Sequence, residues 1–334
     1  EVATLSRRLR DREDEPVAGR VCRHAARVYG AGGDPYSALH AALELVAMDN
    51  PAVRKLDFSL HTEQGRGVLR LQANQNLTDL AALQRNLPGL SLAELSLADC
   101  ERFQDLTQLR GLQVTRLSLN NTGVHHLGAL RGVDGLKTLS LDACDVRSLT
   151  PLQQLTTLQA VSARITPVSD LAPLAGLTLR RLDLGHCFRV TDLSPLSGMS
   201  TLEVLDLERT PIKSLAPLAG MRSLRDLTLD GTSVVDLRPL RRSGLRRLSL
   251  RRCPVTDLTP LQGMPLVELD LQSCRELSDV SVLRQCRKLE RLRLPRQCTG
   301  VDGLRSLPKL KYLSYVSLSQ TAEDFWRQAA PSKE

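Results

Sequence analysis

Leucines recur along most of the chain in the pattern Leu-x-x-Leu-x-Leu, in which apolar and polar positions follow a fixed order. The central residues of the copies stand at positions 95, 117, 139, 161, 182, 205, 227, 248, 269, 292 and 313. The steps between them are 21 to 23 residues over eleven copies. A near-constant period of this length is typical of a repeat protein, in which each unit packs only against its neighbours.

Each repeat predicts one short strand and one short helical segment. The Leu-x-Leu part has a period of two, so both leucines point to the same face of a strand. A Leu-x-Pro-Leu block follows in six repeats, and its proline suits the first turn of a helical segment because it has a fixed φ and no N–H. One unit cannot bury its leucines alone, whereas stacked units form a continuous core. The sequence therefore predicts an α/β right-handed solenoid with a parallel sheet on its concave face, short helical or 3-10 segments on its convex face, and helical caps.

A small residue with a hydroxyl or thiol group stands five positions after most of the central residues. These residues are Cys100, Thr122, Cys144, Cys187, Thr210, Thr232, Cys253 and Cys274. We expect them to point into the solenoid and to satisfy backbone groups of the loop. Five of the eight cysteines hold this position and no Cys-x-x-Cys pair exists, so a zinc site is not predicted. A row of free thiols favours a reducing compartment, and we expect a cytoplasmic protein.

These units resemble the short class of leucine-rich repeats, which are roughly 22 residues long. The segments VTDLSPLSGMSTLEVLDLERT and SLAPLAGMRSLRDLTLDGT are similar to the subclass shared by bacterial internalins and a eukaryotic phosphatase-regulatory subunit. Cys or Thr stands where internalins have Asn, and the first eight residues lack the apolar region of a secretion signal.

The arginine-rich repeats also resemble the sensor arms of NLR-like (NACHT or other STAND) NTPases of actinobacteria, and the repeat regions attached to bacterial protein kinases. Neither the nucleotide-binding motif nor the kinase motifs occur in this chain. The resemblance implies a ligand-sensing arm of a larger bacterial protein that acts in defence or signalling. The chain starts at Glu1 rather than Met, and we expect it to be part of such a polypeptide.

The segments before the repeats predict helices and degenerate units. Residues 1–50 form either an N-terminal helical cap or the tail of an upstream domain, and both interpretations are open. Apolar residues recur there at helical spacing, at Val17, Val21, Ala25, Val28, Leu39, Ala42, Leu43 and Val46. Residues 51–313 form the solenoid, and its first one or two repeats are degenerate. Their expected strands hold Val53, Leu56 and Phe58, and then Leu69 and Leu71.

The C-terminal residues 314–334 predict a helical cap. Aromatic side chains concentrate near this end, at Tyr312, Tyr315, Phe325 and Trp326. A solenoid must cover its open end, and bulky side chains on a terminal helix do this well. An aromatic binding patch is the alternative interpretation.

Composition narrows the class of protein. Aromatic residues make up 3% of the chain, so the core must be aliphatic. No apolar run reaches about 18 residues, so no transmembrane helix is predicted. The net charge of +8 permits an acidic partner. Seven arginines between residues 238 and 252 favour a nucleic-acid binder, whereas the scarcity of aromatic residues for base stacking opposes it.

Charged residues beside the central positions are the candidate binding residues, because they point away from the core and into the concave space. The acidic group of the middle repeats consists of Asp183, Asp206, Glu208, Asp226 and Asp230. The basic group of the later repeats consists of Arg247, Arg251, Arg252, Arg291 and Arg293. Convergent guanidinium groups suit bidentate recognition of carboxylates, so the basic group predicts an acidic surface on a partner protein. The alternative is that these charges only solvate the sheet and pair across neighbouring strands.

The sequence contains no familiar catalytic motif. It has no glycine-rich phosphate loop, no nucleophile elbow and no His-Glu-x-x-His. His125 and His126 are adjacent and diverge, which predicts a solvated pair, whereas His186 stands at a strand exit where it could contact a ligand. We therefore expect a non-enzymatic module that binds a protein on its concave face, with no cofactor, metal, small-molecule substrate or membrane. The alternatives are a regulatory subunit that docks on an enzyme and a nucleic-acid binder.

Overall fold

A computed structural model describes residues 35–53, 56, 58–63, 66–86, 91–133, 135–315 and 320–329. The chain divides into two compact units, Glu1–Leu158 and Gln159–Glu334. The helices expected around residues 17–28 lie outside the described residues.

The first unit begins with a helix and continues with strands that pair in chain order. Its helices are α1 (Pro35–Asp49) and α2 (Ala81–Asn86). Its strands are β1 (Ser59–Glu63), β2 (Arg66–Arg70), β3 (Ser91–Ser96), β4 (Gln113–Ser118) and β5 (Thr138–Ser140). Its 3-10 segments are Leu106–Leu109, Gly128–Gly132 and Thr150–Gln154. Strands β2 to β5 are parallel, whereas β1 is antiparallel to β2.

The start of the sheet differs from the sequence expectation. Val53, Leu56 and Phe58 are not in a strand, and β1 begins one residue later as the first arm of a hairpin. A parallel strand needs a crossover of about a dozen or more residues, and the connection between β1 and β2 is much shorter. The strand predicted at Val53, Leu56 and Phe58 is therefore not found at these three residues, whereas Leu69 lies in a parallel strand as expected.

The helix α1 packs on the first repeat through the apolar face that the sequence predicts. Leu39, Ala42, Leu43 and Val46 are buried. Asn50 follows the helix and is 2% exposed. Its amide nitrogen donates to Val46 O and to Asp79 O, both at 2.7 Å, and its oxygen accepts the Thr78 N–H at 2.8 Å. None of the described helices is long and apolar enough to cross a bilayer.

The second unit repeats one strand and one 3-10 segment down the chain. Its strands are β6 (Ala160–Ser162), β7 (Arg181–Asp183), β8 (Val204–Asp206), β9 (Asp226–Thr228), β10 (Arg247–Ser249), β11 (Glu268–Asp270), β12 (Arg291–Arg293) and β13 (Tyr312–Ser314). Its 3-10 segments are Ala172–Leu174, Ser194–Leu196, Ala216–Leu218, Arg238–Leu240, Thr259–Leu261, Ser281–Gln285 and Asp302–Ser306, and its helix α3 is Ala322–Ala329. The strands pair in parallel with their central residues in register.

The repeat pattern explains which residues of this unit form the core and which begin the 3-10 segments. The central residues of its strands are at most 2% exposed, so they form the core. Pro173, Pro195 and Pro217 stand in the first turn of their 3-10 segments, as their fixed φ allows. The residues on either side of each central position are exposed or half-buried, except Asp270 and Ser314, which are buried.

The small residues after the strands satisfy buried carbonyl groups, as the sequence predicts. In the first unit, Leu119 O accepts the Thr122 hydroxyl at 2.7 Å and the Cys144 thiol at 2.9 Å. In the second unit, two more pairs share an acceptor in the same way. These are Thr166 with Cys187 on Ala163 O, and Thr232 with Cys253 on Leu229 O. A small donor is needed at each turn, and a thiol or a hydroxyl can supply it.

The helix α3 lies against the last strand of the second unit. The Ala322 N–H donates to Lys311 O at 2.9 Å. Phe325 is 3% exposed, and its ring centroid lies 5.0 Å from that of Tyr315. Arg305 stacks over the ring of Trp326 at 4.4 Å. The aromatic side chains of this segment therefore contact the end of the repeat array, which is the geometry that a cap requires.

Candidate functional site

The outward side of strands β6–β13, with the two residues that follow each strand, is called the sheet surface here. The acidic group lies on it, and so does the basic group apart from Arg252. Pairing places Asp183 beside Asp206, and Asp226 beside Arg247. Parallel pairing in register therefore brings together residues that are about 22 positions apart in the sequence.

Arg164 joins three members of the acidic group. Its Nη1 lies 3.1 Å from Asp183 Oδ1 and 3.2 Å from Asp206 Oδ2, and its Nη2 lies 2.9 Å from Glu208 Oε2. The Arg164 side chain is 26% exposed. Sequence reasoning missed this residue because it follows a weak copy of the repeat, Leu158/Val161/Ala163. The available signal was the position of Arg164, which stands three residues after a central residue, as Glu208 does.

Burial and charge oppose each other in this cluster. Burial raises the pKa of Asp206, although the neighbouring Arg164 lowers it. Burial also acts to raise the pKa of Glu208, but the hydrogen bond from Arg164 and the nearby His186 outweigh it, so this pKa is lowered. Arg164 stabilises the ionised Glu208, and its own pKa is raised in return despite its burial.

We expect Arg164→Met to lower the free energy of unfolding by about 2 kcal/mol at pH 7, because it leaves partly buried carboxylates without their cation. The folded-state pKa of Glu208 is lowered, so the stability that it contributes is present above its unfolded pKa and disappears as the pH falls through the folded value. The deficit of the variant should therefore shrink between pH 7 and about pH 4. Urea denaturation of the variant and the unchanged chain at both pH values measures this difference in stability. A difference of equal size at the two pH values would show that Arg164 acts by packing alone.

Three residues of the basic group form ion pairs with carboxylates of the same surface. Arg247 forms an ion pair with Asp226. Arg251 Nε lies 4.0 Å from Asp230 Oδ2 and 3.9 Å from Asp270 Oδ2, and Arg293 Nη1 lies 2.8 Å from Asp270 Oδ2. Acidic and basic side chains therefore alternate over β9–β12, as the pairing alternative describes. Whether they also bind a partner stays a prediction.

The other two basic residues occupy different environments. The guanidinium carbon of Arg291 lies 5.1 Å from the centroid of the Tyr312 ring, a cation–π distance. Arg252 is exposed and lies in the turn after β10, with φ at 60°. Its backbone N–H donates to Gln272 O at 3.0 Å. Arg252 is therefore in the turn and not on the sheet surface.

An apolar edge borders the Arg164 cluster, and sequence reasoning missed most of it. Phe188 is 65% exposed and Ile165 is 57% exposed. The ring of His186 lies 5.9 Å from that of Phe188, and its Nε2 lies 3.6 Å from Glu208 Oε2. His186 is the strand-exit histidine that was expected to be able to contact a ligand. Phe188, His186, Glu208 and Arg164 thus form a contiguous surface, and Ile165 follows Arg164 in the chain.

Ile165 is held in an unfavourable backbone conformation. Its φ is 56°, in the left-handed region that β-branched residues avoid. The equivalent position is left-handed in other repeats as well, where it holds Asp99, Asn121, Ala143, His186, Arg209, Gly231, Arg252 and Ser273, none of which is β-branched. Strain combined with an exposed apolar side chain does not favour folding, and such positions cluster at functional sites. A β-branched residue at a position where these other repeats hold none was the signal in the sequence.

The histidine pair of the first unit is exposed. The rings of His125 and His126 lie 4.3 Å apart, and both side chains are open to solvent. Within the described part of the chain, no three His, Cys, Asp or Glu side chains are grouped as a metal site.

Comparison with solved structures identifies the fold. The crystal structure of the internalin InlF from Listeria monocytogenes is similar to the chain, with a TM-score of 0.62 and 25% sequence identity over 72% of this chain and 71% of that one. The chain has the leucine-rich-repeat fold. No protein-family model matches this leucine-rich-repeat chain, and no curated protein matches it.

Two further Listeria monocytogenes structures align less closely with the leucine-rich repeats. Internalin C2 is 30% identical with a TM-score of 0.49, and the match covers 54% of this chain and 80% of that one. The functional domain of InlJ is 18% identical with a TM-score of 0.47, and the match covers 74% and 62%. The fold predicted from the repeats is confirmed. The resemblance to NLR-like sensor arms and kinase-attached repeats stays a prediction.

Proposed function

We propose that this leucine-rich-repeat chain is a non-enzymatic recognition module that binds a protein partner on its sheet surface, as the ligand-sensing arm of a larger bacterial cytoplasmic protein. Stacked repeats present an extended binding surface, which is the common use of such folds. The seven cysteines in the described residues are free thiols, six of them buried, which suits a reducing compartment.

The apolar edge is the observation that carries this proposal. Protein interfaces combine a few aromatic or large apolar anchors with a surrounding polar rim. Phe188 and Ile165 supply exposed anchors, and the Arg164 cluster supplies a fixed polar surface beside them. Ion pairs within the cluster hold its side chains in place before the partner arrives, which lowers the entropy lost on binding.

The charges indicate which partner surface fits each region. Three carboxylates, those of Asp183, Asp206 and Glu208, gather at the one guanidinium of Arg164, so acidic groups outnumber the guanidinium that pairs with them beside the anchors. A partner segment with an apolar side chain flanked by Lys or Arg complements this region. Further along the surface, Arg247 and Arg251 keep 63% and 42% of their side chains exposed, so their outward donors suit carboxylates of the same partner.

The test compares partner capture by three variants of the full chain. I165N/F188S removes both apolar anchors, and asparagine relieves the left-handed strain at residue 165. Capture of the specific partner should weaken by about 30-fold or more, as for the loss of an interface hot spot. R247Q/R251Q should weaken it by about tenfold. Affinity of the purified, immobilised chain for the partner identified by mass spectrometry is the measurement.

R238Q is the control, because Arg238 lies in a 3-10 segment, away from the strands. This control should bind as the unchanged chain does. Wild-type affinity in I165N/F188S would overturn the proposal. Binding of nucleic acid that weakens equally in all the arginine variants and falls steeply with salt would support the nucleic-acid alternative instead.

A further inference from the structure

One repeat of the second unit departs from the pattern on its 3-10 side. In each repeat of this unit, the Leu-x-Pro-Leu block or its equivalent ends in a leucine. Three positions after that leucine, all repeats but one hold an apolar residue that is at most 6% exposed. These residues are Leu177, Met199, Met221, Met264, Cys286 and Leu307. The exception is Ser243, whose hydroxyl oxygen is buried without a hydrogen-bond partner. A serine here gives up the packing of a methionine and buries an unsatisfied polar group, so it does not serve stability.

The residue before Ser243 breaks the pattern as well. The preceding turn position is a glycine with positive φ in four other repeats, at Gly176, Gly198, Gly220 and Gly263. In this repeat it is Arg242, with φ at 60°. A side chain in the left-handed region is strained, whereas glycine adopts it freely. At two adjacent positions, Arg242 and Ser243 thus replace the glycine and the apolar residue that favour the fold in other repeats.

Arg242 and Ser243 border a polar cleft. The cleft has a volume of about 280 Å³. Its lining residues are Arg241, Arg242, Ser243, Thr259, Pro260, Gln262, Gly263, Met264 and Pro265. No carboxylate is among these residues. The nearest acid along the chain, Asp257, already accepts the Thr259 hydroxyl at 2.8 Å and the Thr259 N–H at 2.8 Å.

The surroundings of the cleft are basic. Arg241 and Arg242 form no ion pair with any residue that the structure describes, in contrast to Arg238, which is paired with Asp236. Arg225 lies alongside, and its Nη1 donates to Gly244 O at 3.0 Å. Arg241 and Arg242, which form no ion pair in the described part of the chain, therefore border a volume much larger than the ~30 Å³ share of one water molecule.

We propose that this cleft binds a phosphate monoester group. A monoester dianion presents three acceptor oxygens, which match the guanidinium donors of Arg241 and Arg242 and offset their local charge, and Ser243 in place of a methionine leaves room beside them. The group comes either from free phosphate or from a phosphorylated side chain of a protein. The cleft lies on the 3-10 side of the unit, so this inference does not depend on the sheet surface.

The experiment uses the full chain and two probes, inorganic phosphate and O-phosphoserine. Calorimetry should show saturable binding, and both probes should raise the melting temperature above that in sodium chloride of equal ionic strength. R242G/S243M restores the residues that other repeats use. It should melt at a higher temperature without ligand, and its affinity for both probes should fall at least tenfold. The single variant R242G should change both quantities in the same direction.

R238Q is the matched control, because Arg238 precedes the same turn but does not line the cleft, and it should bind both probes as the unchanged chain does. The sheet-surface variant I165N/F188S should also keep its response, which separates this site from the proposed function. If O-phosphoserine binds more tightly than phosphate, the ligand of the cleft is a phosphorylated side chain. If the two probes bind equally, the ligand is free phosphate. The absence of a saturable response in the unchanged chain, or equal affinity in R242G/S243M, would overturn the site.

Discussion

The thiols at the repeat position, Cys100, Cys144, Cys187, Cys253 and Cys274, should react with iodoacetamide more than about a thousandfold more slowly in the native protein than in urea, because they are exposed only when the fold opens. All five are at most 2% exposed. Burial raises the pKa of Cys100 to about 11 and that of Cys274 to about 12. Thiolate is the reactive species, so the higher pKa slows alkylation further.

Mass spectrometry of peptides after timed labelling gives the rate for each thiol. Cys298 serves as the internal reference, because it is partly exposed and should label before the five buried thiols in the native chain. Rapid native labelling at most of the five positions, or disulfides among them, would contradict the inward register of the repeat.

Replacing Cys187 with Thr should leave the free energy of unfolding within about 1 kcal/mol of that of the unchanged chain. The reason is that Thr210 and Thr232 fill the equivalent position with a backbone hydrogen bond.

Phe325→Ala should lower the free energy of unfolding by about 3–5 kcal/mol, the usual cost of removing a buried phenylalanine. The ring is 3% exposed and contacts Tyr315 and Trp326, with ring centroids 5.0 Å apart in both pairs. Its loss would detach α3 from the end of the second unit. Urea denaturation monitored by circular dichroism measures the change.

Arg327→Ala in the same helix is the control. The Arg327 side chain is 75% exposed and pairs with an exposed Asp324, so its removal should change stability by less than about 1 kcal/mol. An unchanged unfolding midpoint in Phe325→Ala would show that residues 322–329 do not cap the repeats. The aromatic-patch interpretation of this segment would then gain support.

The repeat period predicts most of the fold, because it states which residues face the core. A leucine at every central position except Val161, and a small donor five residues later in most repeats, determine which side of each strand faces the core. The hairpin of β1 was not predictable in this way. Its pairing depends on the short connection to β2, whereas Val53, Leu56 and Phe58 have the apolar spacing of a strand without forming one.

The candidate site was predicted in part. The sequence placed the acidic and basic groups on the sheet surface, but it could not show that they pair with each other. Arg164 reaches carboxylates on the next two strands, and this reach depends on a side-chain rotamer that the repeat pattern does not encode. The exposure of Phe188 depends on the path of its loop. These features come from packing around particular side chains, so a pattern of residue types does not contain them.

Site-specific photocrosslinking tests the central claim, recognition of a protein by the sheet surface, most directly. A photoreactive phenylalanine analogue replaces Phe188 in one variant and Ala219, an exposed residue on the 3-10 side, in a second. Irradiation in lysate of the source organism should give one protein adduct at position 188 and none at position 219, and excess unlabelled chain should abolish the adduct. Adducts of equal yield at both positions, or none at position 188 while the chain still captures its partner, would contradict the account.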